Sequence, residues 1–391
     1  MSQNNPLPNM MYHFTHFNIH QFRGFRNFNL DNLGRVNLLV GMNNAGKTSV
    51  LEALSLYCRS FDLRTWIEIA SLRNMRQFAP SRFEALKWFF PKKSQTEDES
   101  SEILLKAQGH FKVREVRATF DERSVNPFMT SAFIASQVDI DQDNEGMRQD
   151  AAINVSRLSE PNREEPLSEE KRTFVLREEG DKLEIETEVK VNGTETFSFE
   201  HEHTLPVSSI IPCSHGFKRA QIMRQITHTK TEGTIKHLLK IINKIDPNIE
   251  NLEILSKDGR RFSVYLQHRE IGLAPITLFG DGVQRILDIA LSLLNVQNGI
   301  LLIDELEVGI HTSALQTVFT WLVEACRDYN IQLFATTHSL EALDAVLATV
   351  PDDSDEIVSY RLPNPITGGQ LKRFGGNLLQ RLRYERGLDV R

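Results

Sequence analysis

The stretch Gly41-Met-Asn-Asn-Ala-Gly46-Lys47-Thr48 constrains this chain more than any other. It fits G-x-x-x-x-G-K-[ST] in full, and its surroundings fit as well. Arg35 to Val40 (RVNLLV) is a short apolar run that reads as a buried strand ending at the loop. Beyond the loop, Val50, Leu51, Leu54 and Tyr57 recur at helical spacing. A strand feeding a Gly-rich turn into a helix is a phosphate cradle. The glycines let backbone N–H groups close around phosphate oxygens, and the helix N-terminus adds a positive dipole. Lys47 is placed to reach β- and γ-phosphates, and the Thr48 hydroxyl to ligate Mg2+. Gly41, Asn43, Asn44, Ala45, Gly46, Lys47, Thr48 and Ser49 are the expected nucleotide contacts.

Three further segments bear on the same chemistry. Gly299-Ile-Leu-Leu-Ile-Asp304-Glu305 is a buried strand with two carboxylates at its C-terminal end, where ligands gather in an open α/β sheet. Asp304 is expected to hold Mg2+ through water, and Glu305 to polarise the attacking water as general base. The plainer alternative is a strand that simply ends in polar residues. Leu333-Phe-Ala-Thr-Thr-His338-Ser339 is a second apolar strand, ending in a histidine that could reach a γ-phosphate and the attacking water. A lone histidine is more often structural. Leu278-Phe-Gly280-Asp-Gly282-Val-Gln-Arg285 opens a helix whose buried face carries Val283, Ile286, Leu287, Ala290, Leu293 and Leu294. Two glycines at a helix start can cradle phosphate, although Gly-Asp-Gly is also an ordinary turn.

In chain order these four segments resemble the ABC ATPase superfamily: Walker A, a long insertion, signature, Walker B, D-loop and H-loop. The resemblance implies ATP and Mg2+ as ligands, with Lys47, Glu305 and His338 catalytic and Thr48 and Asp304 on the metal. It implies a head-to-tail dimer in which the signature helix of one subunit caps the γ-phosphate held by the other. Gly280, Gly282 and Arg285 would then make contacts in trans, Glu307 to His311 would form the D-loop, and His338 would be the switch histidine. The opening Ile19-His-Gln-Phe22-Arg23-Gly24-Phe25 looks like the start of RecF, SMC and OLD (overcoming lysogenization defect) ATPases, which adds Arg23 to the nucleotide contacts. Asn43-Asn44-Ala45 and Leu51-Glu52-Ala53 resemble the same group. Gly280-Asp281-Gly282, Asp304-Glu305-Leu-Glu307-Val-Gly309-Ile-His311 and Thr336-Thr337-His338-Ser339 look most like the OLD branch, whose relatives act in bacterial phage defence.

The departures from that pattern are informative. Gly280 stands where transporters and SMC proteins have serine, so trans capping would rest on backbone N–H groups. No long heptad stretch is present, which excludes an SMC-type coiled-coil arm. From His338 the chain runs on only to Arg391, leaving no room for the TOPRIM nuclease domain of OLD nucleases. Any nuclease or other effector is therefore expected to be a separate protein. Gln77 is a candidate for the family's lid glutamine.

The fold expected from these readings is α/β, a split ABC-ATPase P-loop domain with an inserted antiparallel β subdomain and a short helical arm. Residues 1–95 would form its N-terminal lobe, 96–275 the insertion and 276–391 the C-terminal lobe. Within the insertion, 122–172 is polar and acidic and reads as flexible, and 217–246 reads as helical with a break near Gly233.

Composition decides among partners. A net charge of −7 over 391 residues argues against coating nucleic acid by bulk charge. Lys218, Arg219, Arg224, Lys230, Lys236, Lys240 and Lys244, with Lys372, Arg373, Arg381, Arg383 and Arg386, could instead form a local phosphate-binding face. The plainer reading, and the preferred one on the sequence alone, is a solvated helix face. Cys58, Cys213 and Cys326 are too few and scattered for a disulfide framework or zinc site. No apolar run reaches about 18 residues, and MSQNNPLPNM lacks the pattern of a secretory signal. A cytoplasmic protein is expected. The leading reading is an ATPase subunit that controls a separate effector on nucleic acid, in phage defence or DNA maintenance. The alternative is an ATP-held scaffold or sensor with little turnover. A transporter motor fits the signature and insertion poorly. Asn243-Lys244-Ile245-Asp246 matches the guanine-reading N-K-x-D but lies in a helical stretch.

Overall fold

The computed structural model describes residues 12–60, 62–72, 82–90, 102–110, 113–121, 150–159, 169–179, 182–190, 207–210, 219–233, 235–243, 246–256, 262–349, 355–364 and 368–391. The chain opens with β1 (Phe14–Phe22) and β2 (Phe25–Asp31), a hairpin turning at Arg23-Gly24, and continues through β3 (Val36–Val40) into α1 (Lys47–Cys58). Helices α2 (Leu63–Leu72) and α3 (Arg82–Lys87) precede five strands: β4 (Glu102–Gly109), β5 (Val113–Asp121), β6 (Asp150–Ser159), β7 (Glu169–Glu179) and β8 (Lys182–Lys190). Then come β9 (Val207–Ile210), α4 (Arg219–Thr231), α5 (Ile235–Ile242), β10 (Ile249–Ser256), β11 (Phe262–His268) and β12 (Gly272–Pro275). The last stretch holds α6 (Asp281–Asn295), β13 (Ile300–Ile303), α7 (Thr312–Asp328), β14 (Gln332–Thr336), α8 (Leu340–Leu347), β15 (Ile357–Arg361), β16 (Lys372–Gly375) and α9 (Gly376–Gln380).

The chain forms two compact units. One comprises Met1–His13, Asn32–Leu51 and Leu205–Arg391; the other comprises Phe14–Asp31 and Glu52–Thr204. This division differs from the one expected at 95 and 275. The opening hairpin packs with 52–204, because β1 hydrogen-bonds along β4. The described residues of 205–275 fall in the unit that contains the P-loop. The α/β class and the antiparallel β subdomain are both present.

In the first unit a six-stranded sheet runs β16-β15-β3-β14-β13-β9. All its neighbours pair in parallel except the edge pair of β15 and β16. Strands β3, β13 and β14 are buried at every position, which is why they read as short continuous apolar runs. Leu287 and Leu291 of α6, and Phe319 and Leu322 of α7, share one apolar core with the sheet residues Leu38, Leu301 and Leu333. Each such side chain, when fully buried, contributes about 1.5–3 kcal/mol.

Helices α4 and α5 were expected as an arm. They are instead part of this core, through Ile222, Ile226, Leu238 and Ile242. Gly233 supplies the break between them with φ of 71°. A small antiparallel sheet of three strands runs β10-β11-β12. In the second unit, seven antiparallel strands run β2-β1-β4-β5-β6-β7-β8. Strands β6 and β7 fall within the stretch read as flexible, so that reading is corrected over 150–159 and 169–172. Residues 122–149 lie outside the described set. Among the described residues, no helix is long and apolar enough to cross a membrane.

A polar staple closes the N-terminal ends of the central strands. Glu356, almost fully buried, takes a bidentate pair from Arg327 at 2.8 Å each and lies 3.6 Å from Arg35 Nε. Arg35 also donates to the carbonyls of Cys326 and Ile331. Asn37 and Gln332 bind the backbone of Gly34. A Cβ on Gly34 would sit 2.6 Å from the Glu356 carbonyl and 2.8 Å from that of Asp355. Gly34→Ala is therefore expected to lower stability by about 1–3 kcal/mol, while Gly24→Ala, with open space around it, changes stability little. Urea denaturation of both variants checks this. Burial raises the Cys326 thiol to about 12, so it should resist iodoacetamide at pH 8 in the folded protein and react once denaturant is added, as read by mass spectrometry.

Candidate nucleotide site

The P-loop follows directly from its residues. Gly41 and Gly46 have φ of 140° and 92°, which favour glycine, and Asn44 has φ of 62°. The Val50 N–H donates to the Gly46 carbonyl at 3.1 Å, which starts α1 immediately after the turn. Lys47 is 6% exposed, and its Nζ donates to the carbonyls of Gly41 (2.8 Å) and Met42 (2.9 Å). Burial pulls its pKa down to about 8, opposed by the nearby carboxylates of Asp304, Glu305 and Glu307. Asn43 and Asn44 are exposed, and Ser49 is buried.

Sheet order brings Asp304 and Glu305 to this loop. β14 lies between β3 and β13, so the ends of three adjacent strands converge. The Thr48 hydroxyl donates to Asp304 Oδ2 at 2.9 Å. The Thr336 hydroxyl donates to Asp304 Oδ1 at 2.5 Å and accepts the Glu305 N–H at 2.8 Å. One hydroxyl thus fixes both acidic residues. The Leu306 N–H adds a bond to the Thr336 carbonyl at 2.9 Å. Glu305 holds φ of 51°, a left-handed conformation that costs a residue with Cβ roughly 1–3 kcal/mol. Such strain persists only where the surroundings over-determine it, and here both faces of its peptide are bonded.

The Thr48 hydroxyl and the Asp304 carboxylate are hard oxygen donors side by side, a set that suits Mg2+, which keeps few protein ligands beside phosphate and water. Among the described residues no cluster of three His, Cys, Asp or Glu side chains offers a self-sufficient metal cage.

His338 is positioned through its backbone. Its N–H donates to Glu307 Oε1 at 2.9 Å, and its carbonyl accepts from Arg391 at 2.8 Å. Burial, and after it the Lys47 charge, lowers the pKa of the ring. The neutral imidazole is therefore favoured at neutral pH.

The remaining expected contacts are placed differently. Gly280 is the N-cap of α6, with nothing within 4 Å of where a Cβ would stand. A Cβ on Gly282 would stand 3.0 Å from the Gly309 carbonyl, so the start of α6 packs closely on that segment of its own chain. Arg285, expected as a contact in trans, is 5% exposed. It donates to the carbonyls of Asp304 (2.6 Å) and Glu305 (3.1 Å), bracing the Asp304-Glu305 turn from within. Arg23 belongs to the second unit, where it pairs with Glu52 at 3.1 Å and lies 4.8 Å over the Phe89 ring. Gln77 lies outside the described residues.

Several basic residues of the proposed phosphate face are also spoken for. Lys230 pairs with Glu253, Arg373 with Asp355, Arg381 with Glu385 and Arg383 with Asp344. Lys218 and Lys244 lie outside the described residues. Sequence reasoning missed Thr336, the Glu307 carboxylate and the bracing role of Arg285. The Thr-Thr-His run was visible, but no spacing rule says which threonine turns toward Asp304.

Residues 59–344 match the family model described as "AAA domain, putative AbiEii toxin, Type IV TA system". A Helicobacter pylori protein named ATP/GTP phosphatase is 22% identical over 355 residues, covering 84% of this chain and 87% of its own. An uncharacterized protein of Methanocaldococcus jannaschii is 41% identical over 121 residues, 29% of this chain and 98% of its own. Among solved structures, an SMC head bound to the C-winged helix domain of ScpA aligns at 11% identity with a TM-score of 0.45, covering 93% of this chain and 98% of that one. The SMC head domain from Thermotoga maritima aligns at 12% identity and a TM-score of 0.38, with the same coverage.

Thr336→Val keeps the shape of the side chain and removes the hydroxyl. It leaves the Glu305 N–H without that acceptor, at an expected cost of about 1–3 kcal/mol, whereas Thr336→Ser retains stability more closely. Chemical denaturation of the two variants side by side tests the assignment.

Proposed function

Because this chain belongs to the AAA-domain family matched over residues 59–344, we propose that it binds Mg-ATP and hydrolyses it between two copies of the P-loop unit. The observation that carries this reading is the hydrogen-bonded chain from Thr48 through Asp304 and Thr336 to Glu305. It joins the loop that would hold phosphate to the carboxylate that would activate water.

In this reading the P-loop N–H groups and Lys47 bind the phosphates. Thr48 and Asp304 hold Mg2+, which when bound neutralises charge on the phosphate oxygens. Glu305 orients and polarises the attacking water as general base. His338, uncharged, has a ring nitrogen free to accept or donate a hydrogen bond at the γ-phosphate position. The open N-terminus of α6 at Gly280 is the surface offered to a nucleotide held by a second copy, through backbone N–H groups. Arg285 serves the same chain's Walker B turn. The motifs resemble the RecF, SMC and OLD group, with a separate effector on nucleic acid in phage defence or DNA maintenance. The relative named ATP/GTP phosphatase agrees with phosphohydrolase chemistry.

Mg-ATP turnover of the purified chain, with and without double-stranded DNA, tests the reading. Turnover is expected in the wild type, and Glu305→Gln should lower it by about 10^2-fold or more. Stimulation by DNA would mean that the chain itself senses nucleic acid. Indifference to DNA would move the switch to a protein partner. Equal turnover in Glu305→Gln would remove Glu305 as the base, and a stable ATP-bound dimer with no turnover would favour the scaffold alternative.

A further inference from the structure

The loop that carries His338 is held from a side that none of the nucleotide motifs accounts for. Its carbonyl accepts a hydrogen bond at 2.8 Å from Nη1 of Arg391. Arg391 is itself locked in place. Asp389 takes its Nη2 at 2.9 Å and its Nε at 3.1 Å, and also its backbone N–H at 2.9 Å. Asp389 is held down to about 2 by these same bonds. Between the two, Val390 is 2% exposed and belongs to the apolar core.

The segment leading to Arg391 is strapped to α8, the helix that begins directly after His338. Arg383 makes a bidentate pair with Asp344 at 2.7 and 2.6 Å and donates to the Leu388 carbonyl. The Tyr384 hydroxyl donates to the Asp344 carbonyl at 3.1 Å. The same helix is capped at its start by Ser339, whose hydroxyl accepts the Ala342 N–H. The His338 peptide is thus gripped at both ends. Glu307, two residues beyond Glu305, holds its N–H, and Arg391 holds its carbonyl. A charge-assisted bond to a carbonyl is stronger than a neutral one, and a bond on the peptide sets where the ring stands without touching the ligand.

We propose that Arg391 is a positioning residue for His338, fixing the histidine loop through its backbone carbonyl. This rests on the reading of His338 as a contact of the γ-phosphate. It predicts that loosening Arg391 impairs the chemical step more than nucleotide capture, because Lys47 and the P-loop N–H groups are untouched.

The test is steady-state turnover of the full chain carrying Arg391→Ala, Arg391→Lys or Asp389→Ala, with thermal melts as the folding control. NMR of the histidine rings is recorded on the same samples. Arg391→Ala should lower kcat about tenfold with KM within about twofold. The His338 ring resonances should move, while those of His268, which is bonded to the β11–β12 turn, stay in place. Arg391→Lys, which keeps one donor for the carbonyl, should restore both readouts in large part. If Arg391→Ala does not fold, Asp389→Ala decides by the same two readouts with a smaller change. Unmoved His338 resonances, an unchanged kcat, or a loss confined to KM would overturn the proposal. Glu305→Gln run in parallel separates the two failures. If that variant is inactive while Arg391→Ala equals wild type, only the clamp falls; if Glu305→Gln turns over normally, the reading of the site falls first.

Discussion

The Asp304 carboxylate is the point on which the site is hung. It takes hydroxyl bonds from Thr48 on the helix after β3 and from Thr336 at the end of β14, while its own strand, β13, lies beyond β14. Three strand ends are therefore tied by one side chain, and the parallel register of the sheet sets the spacing between them. That arrangement needs strands that do not slip. Complete burial on both faces supplies this, because any shift would leave polar backbone groups without partners in an apolar interior. At the opposite end of the same strands, the Arg35, Arg327 and Glu356 staple performs the matching task. Breaking a buried pair of that kind on one side alone leaves a charge without compensation.

Much of this was legible because it is local in sequence. The P-loop, the strand before it and the helix after it are adjacent residues, and an Asp-Glu pair after four apolar residues announces a strand end. The break at Gly233 is likewise turn chemistry. What could not be read depends on long-range packing. Thr336 acts on a residue that precedes it by a helix and two loops. The opening hairpin looked like part of the nucleotide lobe because it precedes the P-loop, but β1 pairs with β4, and strand pairing decides the unit. The α4 and α5 pair was expected as a helical arm. Its apolar stripe of Ile222, Ile226, Leu238 and Ile242 goes into the core, while Lys236 and Lys240 remain at the surface.

Arg285 shows how far a side chain's role depends on where its helix turns it. A guanidinium beside a Gly-Asp-Gly turn suggests an anion contact, and an exposed one would serve that purpose. Here the helical position turns it inward, toward the carbonyls of Asp304 and Glu305. Those carbonyls belong to the turn in which Glu305 adopts its left-handed φ. A buried cation directed at two carbonyl oxygens helps to keep that turn in a conformation it would otherwise leave.

The same logic joins strain, burial and chemistry in one region. A lysine pushed down to about 8, a histidine kept neutral and a glutamate at positive φ are all unfavourable placements taken singly. Each is held by its own partners: Lys47 by the Gly41 and Met42 carbonyls, the His338 peptide by Glu307 and Arg391, and the Glu305 backbone by Thr336 and Arg285. A polyanion bound in the loop would favour protonated Lys47, since charges of opposite sign raise a lysine's affinity for its proton. Burial of Lys47, which lowers its pKa to about 8, is a cost that a bound polyanion would offset.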